Sequence, residues 1–252
     1  MLKQYLLKRK KIAKGIYNTY LKSKGRNYND SEWWDKSFYT EGVSDRQTIS
    51  KKKSPISSEY HYCSVKLQIL KHFYNHDTRA KAISVLDIGS GSGHWIDFYK
   101  SLGFQKAVGI DVSKISVNHL KKKYINNSNI KIYLGTATDI IDKLNSPFNI
   151  VNAIGVMFHI VNDSEWNETI TKIAGLIPEK GVFIAGGHFG SLNGLNVQID
   201  PNGQINKRLR SKSLWKKTLK RAGFSEVRIY KNNSYLWIND TLPENNILVA
   251  TK

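Results

Sequence analysis

The chain has 252 residues, 40% hydrophobic and 23% charged, which suits one α/β domain with an extension and leaves two full domains cramped. Its 39 Lys and Arg against 20 Asp and Glu give a formal charge of +19, a field that attracts anions: phosphorylated metabolites, nucleic acid or an anionic membrane surface. The single cysteine, Cys63, excludes an intramolecular disulfide and any multi-cysteine metal site, and no apolar run approaches the length of a membrane span.

Charge is spread unevenly. No acidic residue precedes Asp30, whereas Lys3, Lys8, Arg9, Lys10, Lys11, Lys14, Lys22, Lys24 and Arg26 all do. Leu2, Tyr5, Leu6, Ile12, Ile16 and Tyr20 recur at helical spacing in the same stretch, which predicts a basic amphipathic helix. Such a helix can touch an anionic membrane peripherally, but the favoured reading packs its short stripe on the domain and leaves the lysines in water. An abundance of Lys, Asn and Ile from AT-rich coding would explain the net charge equally well. The N-terminus shows no hydrophobic leader core, so the expected location is cytoplasmic.

Residues 31–60 read as irregular, aromatic and polar, with Trp33, Trp34, Phe38 and Tyr39 ahead of Glu41, Ser44, Asp45 and Arg46. A helix carrying Val65, Leu67, Ile69, Leu70 and Phe73 follows, so residues 1–80 form a helical and aromatic extension to a domain spanning 81–252. In that domain, Ala82–Ile88 is a β-branched, apolar run ending in glycines, the pattern of a buried parallel strand. Helix is expected over His94–Leu102, strand over Ala107–Asp111, and helix over Ser113–Tyr124 with Ser113 as cap. Strands follow at Ile130–Leu134, Phe148–Ile154 and Val182–Ala185, with a helix capped by Asp163 or Ser164 before the last of these. A helix over Ser213–Ala222 and two terminal strands, Glu226–Tyr230 and Ile247–Ala250, complete the set. This alternation predicts a doubly wound, mostly parallel seven-stranded sheet with an antiparallel edge strand.

The chemistry starts at Asp87-Ile88-Gly89-Ser90-Gly91-Ser92-Gly93, a glycine loop that follows a strand and opens a helix. Glycines there let the chain turn tightly and let a ligand approach bare backbone. Asp111 ends the next strand about 20 residues on, where an acid can accept both ribose hydroxyl protons. Asp87, two residues ahead of the first glycine, would oppose a pyrophosphate but attract a cationic sulfonium and ammonium. The dinucleotide fingerprint also wants its last glycine three positions after the second, where this chain has His94.

These residues, with Gly109–Ser113, Gly135–Asp139, Phe148–Val161 and Trp166, resemble the class I, Rossmann-like S-adenosylmethionine-dependent methyltransferases over about residues 80–252. The resemblance implies that Gly89, Ser90, Gly91 and Gly93 lie along the methionine part of the cofactor, and that Asp111 and Val112 hold the ribose. It places Thr136, Ala137 and Asp139 beside adenine, although the family's common G-D-A is Gly135-Thr136-Ala137 here. Ile154 and the segment to Val161 would lie beneath the sulfonium, with His159 near the transferred methyl. Absence of an N/D-P-P-Y/F motif argues against the nucleic-acid adenine enzymes. The extension would act as a lid, with Arg46 pairing the cofactor carboxylate and Tyr39 and Glu41 beside the acceptor.

Methyl transfer from a sulfonium is mainly alignment and exclusion of water, and a hydroxyl acceptor also needs a base. His159 and His188 are the candidates; a structural hydrogen-bonding role for either stays open. Arg208 and Arg210 could hold the phosphate of a nucleotide-linked sugar or another phosphorylated acceptor, or simply form a solvated basic loop. Asp163 and Glu165 make no recognisable metal motif, so no metal is expected. The leading expectation is therefore O-methylation of a small polar acceptor, a sugar or nucleotide-linked sugar first, hence a carbohydrate-modification enzyme. RNA or another anionic macromolecule is the alternative acceptor, although no RNA-binding appendage is recognisable. A cofactor-binding protein without turnover is the second alternative.

Overall fold

A computed structural model describes residues 29–49, 54–75, 84–144, 146–190, 196–199, 205–230 and 246–252; the basic helix expected over residues 2–20 lies outside them. The extension contributes helices α1 (Asp30–Glu41), α2 (Asp45–Ile49) and α3 (Pro55–Asn75). Then come β1 (Ser84–Ile88), α4 (His94–Ser101), β2 (Lys106–Asp111), α5 (Lys114–Lys123), β3 (Ile130–Leu134), α6 (Ala137–Ile141) and β4 (Ile150–Ile154). The chain continues through α7 (Asp163–Leu176), β5 (Val182–Gly187), β6 (Asn196–Ile199), β7 (Ile205–Leu209), α8 (Lys212–Arg221), β8 (Glu226–Tyr230) and β9 (Asn246–Thr251).

Seven strands form one sheet in the order β3-β2-β1-β4-β5-β9-β8. β1 to β5 pair in parallel, while β9 pairs antiparallel with β5 and with β8 to make the far edge. The central strands are apolar on both faces because both faces are covered. Leu86, Val108, Val151 and Phe183 point into the core beneath Trp166, Ile170 and Leu219. Their neighbours Val85, Ala107, Ile150 and Ile184 point into the opposite core, with Val65, Ile69, Trp95 and Tyr99. A one-residue register slip in any of these strands would exchange the two cores.

Three local features differ from the sequence reading. Asp30–Glu41, Asp45–Ile49 and the start of Pro55–Asn75 are helical rather than irregular, with Asn29 capping α1 by accepting from the Glu32 amide. Asn162 caps α7 in place of Asp163 or Ser164, its side chain accepting from the Ser164 and Glu165 amides at 2.8 and 3.2 Å. Asp163 is unavailable for that role because its carboxylate is bonded to Arg208 and Arg210. Finally, β6 and β7 form a separate antiparallel hairpin beyond β5. Ser113 caps α5 as expected, accepting from the Ser116 amide at 3.1 Å.

Candidate active site

The site sits where parallel strands present their carboxyl ends, the place open α/β sheets keep for ligands. β1 turns sharply there. Gly89 and Gly91 have φ of +70° and +51°, a region L side chains rarely adopt. The Gly89 and Ser90 amides donate to the Ile110 carbonyl at 2.7 and 3.1 Å, which ties the loop to β2. A Cβ on Gly89 would collide with the Val156 side chain. The loop therefore lies directly against the segment that follows β4.

Two buried carboxylates flank this loop. Asp87 is fully buried; its Oδ1 accepts from Asn152 Nδ2 at 2.7 Å, and its Oδ2 has no partner. Burial is the main cause that pushes its pKa up to about 7; bonds from Asn152 and Ser90 oppose the rise and the Asp111 charge adds to it. Asp111 accepts from the Gly91 amide on Oδ2 and the Ser113 amide on Oδ1, both at 2.8 Å. Burial raises its pKa against those bonds. A carboxylate has about four lone-pair sites, so both oxygens of Asp111 keep capacity for hydroxyl donors. Val112 is half-buried next to it, and Ile154 closes β4 as a buried apolar surface.

At the third strand's end, Thr136 is the N-cap of α6 and accepts from the Asp139 amide at 3.2 Å. Its hydroxyl donates to Asp139 Oδ2 at 2.7 Å, so the two side chains are tied together. Ala137 is buried behind them and Asp139 is exposed.

The extension closes over the loop through contacts that the sequence did not single out. Asp45 Oδ1 accepts from Ser92 Oγ and Oδ2 meets His94 Nδ1, both at 2.5 Å. Burial would raise the Asp45 pKa, but the bonds from His94 and Ser92 outweigh it and hold it at about 2. His94 stacks on Tyr62 at 3.6 Å between centroids, and Tyr62 OH lies 2.8 Å from Thr48 Oγ1. Thr48 sits over Gly91, where an added Cβ would come within 2.5 Å of its Cγ2. Further along, Asp35 Oδ1 accepts from Ser113 Oγ at 2.5 Å and the Ile115 amide at 3.2 Å, fixing α1 to the start of α5.

That docking brings α1 to the rim. Trp34 stands edge-on to His159 at 5.3 Å, and Trp33 lies 6.3 Å from it. His159 Nδ1 is 2.8 Å from the Asn206 carbonyl, which can only accept, so Nδ1 carries the proton and Nε2 is the basic nitrogen. Burial lowers the His159 pKa to about 3, with Lys207 and His188 adding to the effect. Phe158 separates the two expected histidines, with centroids 4.6 Å from His159 and 4.9 Å from His188. The rim thus brings His159 and His188 together.

Other expected acceptor residues fall elsewhere. Arg210 is buried, stacks on Trp166 at 4.4 Å, and bonds Asp163 together with the Ile160 and Asn162 carbonyls. Those bonds occupy the fork expected to hold a phosphate. Arg208 pairs with the other oxygen of Asp163 at 2.6 Å and leaves its buried Nε without a partner. Tyr39 is 85% exposed on the outer side of α1, Arg46 is exposed without an ion pair among the described residues, and the Glu41 side chain lies outside them. No group of three metal-ligating side chains occurs among the described residues, and no described helix is long and apolar enough to cross a membrane.

Comparison with known proteins bears on the fold that carries this site. Residues 85–181 match the family model described as a methyltransferase domain, a stretch that runs from the glycine loop to the turn before β5. No protein of curated function matches the chain in sequence. Among solved structures, magnesium protoporphyrin IX methyltransferase (ChlM) from Synechocystis PCC 6803 with bound SAM is similar with a TM-score of 0.62 and 14% identity. That alignment covers 90% of this chain and 99% of the other. The N-methyltransferase NodS from Bradyrhizobium japonicum WM9 in complex with S-adenosyl-L-homocysteine (SAH) gives 0.59 and 12%, over 88% and 97% of the two chains. The [4+2]-cyclase SpnF gives 0.54 and 16%, over 73% and 80%, so the fold by itself does not dictate one reaction. The matched stretch is similar to a methyltransferase domain, and the sheet has the Rossmann-like fold of proteins solved with SAM or SAH bound.

Proposed function

We propose that this domain transfers the methyl group of S-adenosylmethionine to an oxygen of a small polar acceptor, with a sugar or nucleotide-linked sugar as first candidate. The observation that carries the reading is Asp87 Oδ2, a fully buried carboxylate oxygen without a partner beside the glycine loop. An unpaired buried carboxylate is costly unless a cation completes it, and the cofactor's ammonium would do so. Asp111, with unused lone pairs one strand away, suits the ribose hydroxyls. Thr136, Ala137 and Asp139 would flank adenine, and Ile154 would supply an apolar wall.

When bound, the cofactor supplies an electrophilic methyl group on a sulfonium. The residues of this chain then align and dehydrate the reaction. Trp33 and Trp34 cover the rim, held by Asp35 on α5 and by Asp45 on the loop. His159, held neutral by burial with its Nδ1 proton on the Asn206 carbonyl, packs against Trp34 and shapes the rim that orients the acceptor. His188, on the far side of Phe158, takes the hydroxyl proton.

Mass spectrometry of a panel of sugars and nucleotide sugars incubated with the protein and S-adenosylmethionine tests this reading. The expected product is heavier by one CH2 and is lost in the Asp111→Ala protein. No gain on any sugar, with a gain on an amine or carboxylic acid, would move the acceptor to a different class.

A further inference from the structure

Lys207 lies in the middle of β7, and the strand is clamped to the turn after β4 on both sides of it. The Arg208 amide donates to the Phe158 carbonyl at 2.7 Å, and His159 Nδ1 donates to the Asn206 carbonyl at 2.8 Å. This clamp leaves the Lys207 side chain half-buried, with its ammonium 5.3 Å from the centre of the Phe158 ring. No carboxylate and no hydrogen-bond acceptor meets that ammonium among the described residues. Burial lowers its pKa, and no charge among the described residues offsets that effect. Its neighbours are treated differently, because Arg208 and Arg210 share Asp163.

The arrangement is incomplete. A cation over an aromatic face is held only weakly, and withdrawing an ammonium from water costs more than one such contact returns. Phe158 therefore compensates only part of the cost. Among the described residues the surroundings add no negative charge: Trp33 and Trp34 reach His159 from α1, and His188 flanks Phe158.

We propose that Lys207 anchors an anionic group, a carboxylate or a phosphate, on the acceptor at the aromatic rim formed by Phe158, His159 and Trp34. The proposal rests on the methyl-transfer reading for the word acceptor, but the anion site can be tested without it. It replaces Arg210, whose fork is occupied, as the residue that selects charge.

The test is calorimetric titration of the protein, with and without SAH, using inorganic phosphate, benzoate and neutral benzamide as probes. The wild type is expected to bind phosphate or benzoate in preference to benzamide. Lys207→Met should weaken that binding at least tenfold, Lys207→Arg should retain it within a few-fold, and affinity for SAH should not change. Whichever anion binds tells carboxylate from phosphate. Lys207→Met should also keep or raise Tm, since it removes an uncompensated charge; a purely structural lysine would give a fall. Equal anion binding by wild type and Lys207→Met, or no anion binding by the wild type, overturns the proposal. Failure of SAH to bind the wild type would instead overturn the cofactor reading and leave the anion titration to be read alone.

Discussion

Asp87→Asn separates a carboxylate placed for a cation from one that merely packs. In the free protein the rise of its pKa from 3.8 to about 7 corresponds to about 4 kcal/mol of native-state destabilisation once the group is ionised. The sign follows from the raised value. The folded state holds the proton more tightly than the unfolded one, so stability is full below about pH 4 and falls as pH rises through about 7. Free wild type should therefore lose Tm between about pH 4 and 7, and Asp87→Asn should flatten that slope. A cationic ammonium against the ionised carboxylate reverses the cost, and a charge-assisted hydrogen bond contributes about 1.5–3 kcal/mol. At pH 8 the substitution should accordingly weaken SAH binding by about tenfold to a hundredfold in calorimetry, and at pH 6 to 7 only the wild type should release a proton on binding. An SAH affinity within threefold of wild type would refute this role for Asp87.

The Asp45 latch between α2 and the glycine loop is testable. Because its folded pKa is held at about 2, below the unfolded value, its contribution is present above about pH 4 and lost as pH falls through 2. At pH 7 Asp45→Ala should speed amide exchange across residues 30–49 while that of β1 to β5 is unchanged; unaltered exchange over residues 30–49 would contradict the latch. Gly91→Ala should lower stability by about 1–3 kcal/mol, since it combines a φ of +51° with the Thr48 contact. Adding Thr48→Ala should recover part of that loss in denaturant melts, and no recovery would show that the contact is irrelevant. Nitrogen NMR of His159 should show one Nδ1-protonated neutral tautomer without titration from pH 5 to 8; a midpoint near 6.5 would restore it as a general base. Arg210→Ala should destabilise by about 1–3 kcal/mol, mainly by leaving the Ile160 and Asn162 carbonyls unpaired, with no selective change in acceptor KM.

What the sequence discloses is set by how local each signal is. The glycine loop, Asp87 and the strand ends are legible because turn chemistry and apolar runs act over a few residues. The first two helices of the extension are not, since their order depends on distant partners: Asp35 meets Ser113 and Asp45 meets His94. Nothing in the local pattern of residues 30–49 indicates those bonds. Arg210 reads as a phosphate fork for the same reason, its partner Asp163 lying 47 residues earlier. The β6–β7 hairpin had a usable signal in Asp200-Pro201-Asn202-Gly203, a turn sequence between two short runs. Reading it would have put Lys207 in a strand beside the rim.

The central claim is a methyl transfer onto a small molecule. Protein incubated with S-adenosylmethionine labelled in its methyl group, a mixture of small metabolites and total RNA, then separated by size, tests it most directly. Label should enter the small-molecule fraction and disappear in Asp87→Asn and Asp111→Ala proteins. Label in the RNA fraction, or none in either fraction from a protein that binds SAH, would contradict it.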